Sequence, residues 1–384
     1  MTDLLIIGGG IMGLWAGVMA ERDGLRTLLV EREVIGAGAS GGVLGALMPH
    51  MPDRWNAKKQ FQFDALISLE TEIAALEAAT GLSAGYRRCG RLMPLAKPHL
   101  RTIALRHEQD ALVNWRAGDR QFHWHVRDLP PVEDWLDSTF AESGVVFDTL
   151  AARVAPRPFL AMLSASLRRS ELVRIEEGRA LVRIDPVAGR ADFADGSTEA
   201  FGDCVIANGV DAFAFLDGLV SAPGSSGTGV KGQAALLKAD IDPSLPVVFT
   251  DGLYIVPHEN GMVAVGSTSE NTFDAPFSTD GQLDALLARA EDLVPGIRNA
   301  PIIERWAGLR PKAIGRDPMA GRHPDHQRIH TLTGGFKISF GIAHRLASTV
   351  ITEICGKTDN SLPASFRCRA HFDLLGSEKT KAPQ

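Results

Sequence analysis

An apolar run from Leu4 to Ile7 ends in three glycines, a pattern that predicts a short buried strand leading into a tight turn. Ile11 to Arg22 follows as a helix, and Thr27 to Val30 as a second apolar strand. Further on, Phe61, Ala65, Leu69, Ile73 and Leu76 recur at helical spacing within Ala57 to Thr80, and Gly81 stops the run. His99 to Arg116 reads as a second long helix ended near Gly118, and a third opens around Pro158. Alternating positions in Leu172 to Ile184 and Ala191 to Phe193 read as hairpin strands, with a turn at Asp195. Asp203 to Gly209 reads as a buried strand ending in a glycine turn, and Val220 to Val230 as a loop by composition. Gln233 to Lys238, Leu253 to Pro257 and Met262 to Gly266 then predict a second sheet.

The first turn carries chemistry as well as structure. Gly8, Gly10 and Gly13 form G-x-G-x-x-G, and each glycine has its own task. Gly8 permits the turn, Gly10 lets a pyrophosphate approach the backbone, and Gly13 lets the helix pack on the strand. The helix N-terminus then faces the phosphates. Glu31 closes the second strand eighteen residues after Gly13, where a carboxylate accepts hydrogen bonds from a ribose diol. Strand, glycines, helix, strand and acid in this order point to a dinucleotide site.

Composition narrows the setting. A chain of 384 residues suggests about two domains. Its formal charge of −6 argues against nucleic acid or an anionic membrane as partner. The longest uncharged run, Val34 to Pro52, holds five glycines and two prolines and is no membrane helix. No secretory pattern precedes the first strand, and Cys89, Cys204, Cys355 and Cys368 form no C-x-x-C, so a reduced cytoplasmic protein is expected.

The segment after Glu31 selects the dinucleotide. Small residues dominate from Gly36 to Ala46, which lets the chain run flat against a large planar ligand. A nicotinamide enzyme needs no such segment. Gly8 to Gly13, Glu31-Arg32, and Ala39-Ser40 followed by Gly45 resemble the D-amino-acid-oxidase-like FAD family, and within it the glycine oxidase branch. "YIVPHENGMVAVGST" at Tyr254 to Thr268, "RWAGLRP" at Arg305 to Pro311 and "TGGFKISFGIAH" at Thr333 to His344 extend the resemblance over nearly the whole chain.

That resemblance implies an α/β (α+β) fold: an FAD-binding Rossmann-like domain of the glutathione-reductase type, with an inserted mixed antiparallel-sheet substrate domain. It places residues 1–85, 145–218 and 312–384 in the FAD domain, and 86–144 and 219–311 in the substrate domain. It implies non-covalent FAD held by Gly8, Gly10, Ile11, Met12, Gly13, Glu31 and Arg32 around the first turn. Ala39, Ser40, Leu44, Gly45 and Ala46 follow in the small-residue segment, then Ala180, Ala207 and Gly209. The last loop contributes Gly335, Phe336, Lys337, Ile338, Ser339, Phe340 and Gly341. No cysteine lies between Cys204 and Cys355, so the covalent flavin link of sarcosine-oxidase relatives is not expected.

Flavin oxidation of an amine needs binding, orientation and electrostatics more than a catalytic triad. A cation that fixes the substrate carboxylate is the main requirement. Arg310 is the candidate, because a guanidinium fork binds carboxylate bidentately and the resemblance places the substrate arginine here. Tyr254, one of two tyrosines, corresponds to a family residue that lines the substrate pocket. Lys337 stands where the glycine oxidase branch has an arginine, and Ile338-Ser339 replaces an asparagine-glycine pair. This departure suggests a substrate bulkier than glycine.

The expected reaction converts an amino acid or secondary amine to its imine by hydride transfer to FAD, with O2, a quinone or a partner protein as electron acceptor. Two alternatives stay open: a tRNA-modifying oxidoreductase that removes a carboxymethyl group from a wobble uridine, and a flavoprotein subunit of an amino-acid dehydrogenase complex. The oligomeric state is open too. His123 and His125 flank Trp124 without a third ligand nearby, so no metal site is expected. His323, His326 and His330 read as a polar surface turn, and Lys58-Lys59 as a solvated helix face.

Overall fold

In the computed structural model, residues 2–220 and 224–378 are described. They build two eight-stranded sheets. The first holds, side by side, Val173–Glu176, Thr27–Val30, Thr2–Ile7 and Thr198–Ile206, with Ile329–Thr333 beside the C-terminal half of the last; all of these neighbours run parallel. Leu4 to Ile7, Leu28 to Val30 and Cys204 to Ile206 are buried on both faces, which is why they read as continuous apolar runs. The helices Ile11–Arg22, Pro156–Arg168, Ser339–Ile354 and Ala57–Thr80 cover one face. At their junction the buried Trp15 ring meets Phe159 at 6.2 Å and His344 at 5.6 Å. Asn56 caps the long helix by accepting from the Lys58 and Lys59 N–H groups, and Gly81 ends it in the left-handed region at φ 72°.

The second sheet runs in the order Ile302–Ala313, Gly227–Lys238, Met262–Gly266, Leu253–His258, Val247–Thr250, Arg91–Pro94, Val145–Asp148 and Trp124–Arg127. Only Val247–Thr250 and Arg91–Pro94 pair in parallel. The helix Gly281–Leu293 buries Leu283, Leu286, Leu287 and Ala290 against it.

Several expectations change. Val145–Asp148 pairs with Arg91–Pro94 and Trp124–Arg127, so a domain boundary at residue 145 would cut the second sheet. Val173–Glu176 is no hairpin strand: it lies parallel to Thr27–Val30. The hairpin joins Leu181–Asp185, Arg190–Phe193 and the start of Thr198–Ile206. Within the expected loop Val220 to Val230, residues 221–223 lie outside the described residues, and Gly227 to Val230 already pair with Arg310 to Ala313. The second long helix spans Pro98–Asn114, and Arg116-Ala117 begins a small hairpin with Arg120-Gln121. His330 is fully buried in Ile329–Thr333 and bonds Asp203 at 3.0 Å, and His323 is 2% exposed beside Phe372. These two are interior histidines, because the strand pairing of Met319–Arg322 with Ile329–Thr333 folds the turn back onto the sheet. Lys59 is not a solvated charge: its Nζ is tied to the Met51 and Asp53 carbonyls and the Asp53 carboxylate.

Candidate active site

A crevice of about 510 Å³ crosses the C-terminal ends of the parallel strands. Ile7, Val30, Ala207 and Leu332 line it, each at or near the end of a different strand. Thr2–Ile7 has a neighbour on both sides, and the crevice opens above it, at the switch point where ligands of open α/β sheets bind.

The glycine turn has no room for side chains. A Cβ on Gly8 would lie 2.6 Å from Asn208 Cα, and Gly8 itself sits at φ 109°. Gly10 lines the crevice; a Cβ there would lie 3.1 Å from Ser40 Oγ, which accepts the Ile11 N–H at 3.0 Å. The helix that follows has no acidic residue in its own first turn. Glu31 is held in place: its carboxylate accepts the Gly9 N–H at 2.7 Å and the Glu33 N–H at 3.0 Å.

The small-residue segment folds along the same crevice. Ala39, Ser40, Leu44, Gly45 and Ala46 all line it. His258 Nε2 donates to the Leu44 carbonyl at 3.1 Å, and the Gly45 carbonyl accepts from Val154 N–H at 2.9 Å. Burial lowers the His258 pKa to about 4, so this ring is neutral near pH 7.

Ile11, Met12, Arg32, Ala180, Ala207 and Gly209 also line the crevice, as do Gly335, Phe336, Lys337, Ile338, Ser339 and Phe340. Gly13 and Gly341 do not. A Cβ on Gly13 would lie 1.9 Å from the Gly8 carbonyl oxygen, and one on Gly341 would lie 3.0 Å from Leu66 Cδ2. Both glycines serve close packing behind the crevice wall. The Arg32 guanidinium is paired with Asp211 at 2.5 Å.

The second sheet supplies the opposite wall. In the pair formed by Gly227–Lys238 and Ile302–Ala313, Val230 faces Arg310, Gly232 faces Gly308 and Ala234 faces Trp306. Two large side chains therefore lie over two glycines. The Trp306 ring covers Gly308, where a Cβ would lie 2.5 Å from Cζ2. The Arg310 guanidinium crosses Gly232, where a Cβ would lie 1.9 Å from its Nη2. It then donates from Nη1 to the Thr268 carbonyl at 3.1 Å. Among the described residues Arg310 forms no ion pair, and burial lowers its pKa to about 10. Lys337, on the loop before Ser339–Ile354, has no hydrogen-bond or ion-pair partner among the described residues. Its pKa is lowered by desolvation and then by the Arg310 charge. Tyr254 lines the crevice with its ring 4.6 Å from Phe249, and burial raises its pKa.

Sequence reasoning missed several lining residues. Asn208 Oδ1 is buried without a partner. Thr333 bonds the Gly209 carbonyl at 2.8 Å, and Phe277 lines the mouth while 68% exposed. Gly232 and Gly308, which lie beneath Arg310 and Trp306 and do not line the crevice, had a visible signal, since glycines inside strand patterns mark a close approach. Asn208 had none beyond its place between Ala207 and Gly209.

The family model for the FAD dependent oxidoreductases of the DAO type matches residues 3–349. The chain belongs to that family. A glycine oxidase of Geobacillus kaustophilus (strain HTA426) is 24% identical over 98% of this chain and 99% of its own length. The crystal structure of glycine oxidase from Geobacillus kaustophilus superposes with a TM-score of 0.82 at 23% identity, covering 96% of this chain and 98% of that one. An iminodiacetate oxidase from Chelativorans sp. BNC1 superposes with a TM-score of 0.79 at 22% identity, over 94% and 97% of the two chains. At these identities the structural likenesses speak to the fold.

The crevice fits the family's FAD on its own chemistry. The glycine cradle admits a backbone-hugging pyrophosphate, a helix N-terminus with no acid in its first turn faces it, and the buried Asn208 oxygen is an acceptor without a partner. None of the four cysteines, all free, lines it.

Proposed function

We propose that this FAD-dependent oxidoreductase oxidises the C–N bond of an amino acid or secondary amine, of the glycine, sarcosine or D-amino-acid kind, to an imine. The observation that carries the reading is Arg310: a half-buried guanidinium on the crevice wall with no anionic partner among the described residues, held by one carbonyl and otherwise free to bind. A partly desolvated cation without an anionic partner is costly unless a ligand anion completes it, and a guanidinium fork matches a carboxylate. The glycine oxidase and iminodiacetate oxidase likenesses support the same substrate class.

Bound FAD supplies the hydride acceptor. The chain's own residues do the rest. Gly8, Gly10 and the helix N-terminus hold the pyrophosphate, and Glu31 holds the adenosine ribose. Leu44 to Ala46 and the loop from Gly335 to Phe340 grip the planar ring system non-covalently. Arg310 fixes the substrate carboxylate, which sets the Cα–H bond in one orientation. Tyr254, whose raised pKa keeps the hydroxyl protonated, donates a second hydrogen bond. Lys337 adds positive charge to the same chamber, and Trp306 and Phe277 line it with apolar surface. Released imine is hydrolysed by water. We place O2 as the acceptor, following the oxidases it resembles, and the enzyme in the cytoplasm, in keeping with four free cysteines. No helix among the described residues is long and apolar enough to cross a membrane.

The test is anaerobic bleaching of the purified yellow protein against a panel of amino acids and N-alkyl glycines. Bleaching by at least one free amino acid or N-alkyl glycine is expected. Bleaching only by modified tRNA, or by nothing in the panel, refutes the assignment.

A further inference from the structure

The chain leaving Met262–Gly266 stays zipped to the sheet. Thr268 N–H donates to the Gln233 carbonyl at 3.2 Å, and Lys231 and Glu270 exchange backbone hydrogen bonds at 3.0 Å each. The side chains lock this segment further. Thr268 Oγ1 accepts the Gln233 N–H at 2.9 Å and donates to the Glu270 carboxylate. The Gln233 amide donates to Glu270 and to Asp280 at 3.0 and 2.9 Å. Lys231 Nζ bonds Asp280 at 2.9 Å and lies 3.5 Å from Glu270, and Asp280 caps the helix Gly281–Leu293. Gln233 and Lys231 are buried while Asp280 is exposed, so the network runs from the interior to the surface and its members bond one another. Lys231 fills the space between the two carboxylates and leaves no cation site there.

The network's hydrogen bond to Arg310 is made by the Thr268 carbonyl oxygen, which accepts from Arg310 Nη1, while the Glu270 carboxylate acts on the guanidinium through its charge. A long guanidinium side chain has several rotatable bonds, and a single fixed acceptor selects one of its placements.

We propose that Thr268 is a positioning residue for Arg310. Its hydroxyl, clamped between the Gln233 N–H and the Glu270 carboxylate, fixes the carbonyl that aims the guanidinium into the crevice. The inference rests on the reading of Arg310 as the substrate-carboxylate anchor. It deepens that reading by assigning the anchor's geometry to a side chain outside the crevice.

The test uses FAD-loaded enzyme, with acetate titrated against the visible absorbance of the flavin. Thr268→Val removes the hydroxyl at nearly constant shape, and Thr268→Ser retains it. Thr268→Val should raise the acetate Kd about tenfold, the size expected when a charged hydrogen bond loses its geometry, while Thr268→Ser stays within about twofold of the parent. Flavin content should match the parent in both. With amino-acid substrate, KM should rise in Thr268→Val and kcat should change less. If Thr268→Val does not fold, Thr268→Ala, which also removes the hydroxyl, replaces it and should weaken acetate in the same way. Equal acetate affinity in parent and Thr268→Val, or equal weakening in Thr268→Val and Thr268→Ser, overturns the proposal. Arg310→Lys is measured alongside: unchanged acetate affinity in that variant refutes the anchor reading itself, whereas weakened affinity there with a silent Thr268→Val refutes only the positioning role.

Discussion

Gly232→Ala should disarm the crevice without harming the fold. Gly232 has no left-handed φ, so its backbone accepts alanine, and removing a glycine from a strand lowers the entropy of the unfolded chain by about 0.4–1 kcal/mol. The new methyl group has one obstacle. It would lie 1.9 Å from Nη2, 2.1 Å from Cζ and 2.2 Å from Nη1 of Arg310. To recover ordinary contact at 3.4 Å the guanidinium must retreat by roughly 1.5 Å, which breaks the 3.1 Å bond from Nη1 to Thr268 and shifts the fork off its aim. The guanidinium is the far end of a flexible side chain, so it moves before the strand does. Losing aligned hydrogen bonds to a charged group costs about 1.5–3 kcal/mol, an acetate Kd raised roughly tenfold to a hundredfold. The assay is acetate titration of the bound flavin, beside a thermal melt. Parent-like acetate affinity in a folded, flavin-loaded Gly232→Ala refutes the reasoning, because Arg310 would then not lie over Gly232 as the carboxylate anchor.

Arg310→Lys keeps the charge but loses the fork, and should weaken acetate by about 1–3 kcal/mol with flavin content unchanged. Lys337→Met should slow anaerobic flavin reduction and lower the flavin potential while sparing acetate affinity; a shared acetate defect instead assigns Lys337 to the carboxylate. Glu31→Ala removes an acceptor worth on the order of 1.5–3 kcal/mol to the ribose, and should purify with much less flavin, read from the ratio of visible to protein absorbance. Stability should fall on acidification: burial holds His258 and His323 at pKa about 4 and His344 at about 3, so the unfolded chain, with histidines near 6.5, binds protons first as pH drops. The stabilisation is full above pH 6.5 and is lost toward pH 4, by roughly 3 kcal/mol for His258 alone. His344→Leu should flatten the melting temperature between pH 7 and pH 5, and an unchanged slope counts against the buried neutral ring.

What the sequence determined is what neighbouring residues decide among themselves. The glycine turn, the helix after it, the strand ending at Glu31 and the capped helix Ala57–Thr80 were all legible, because hydrophobic period, capping groups and left-handed glycines act within a few residues. The glycine motif and its acid marked one wall of the crevice for the same reason. Tertiary structure decided the other wall. Nothing local to Arg310 announces a guanidinium lying over Gly232 and bonded to a carbonyl 42 residues away; strand pairing creates that neighbourhood. Pairing also drew Val145–Asp148 into the second sheet and buried His323 and His330 on either side of a surface turn, since burial is a property of what packs above a residue. Asn208, Thr268 and Gln233 carry no pattern of their own, and became visible only when the fold brought distant backbone groups within hydrogen-bond reach.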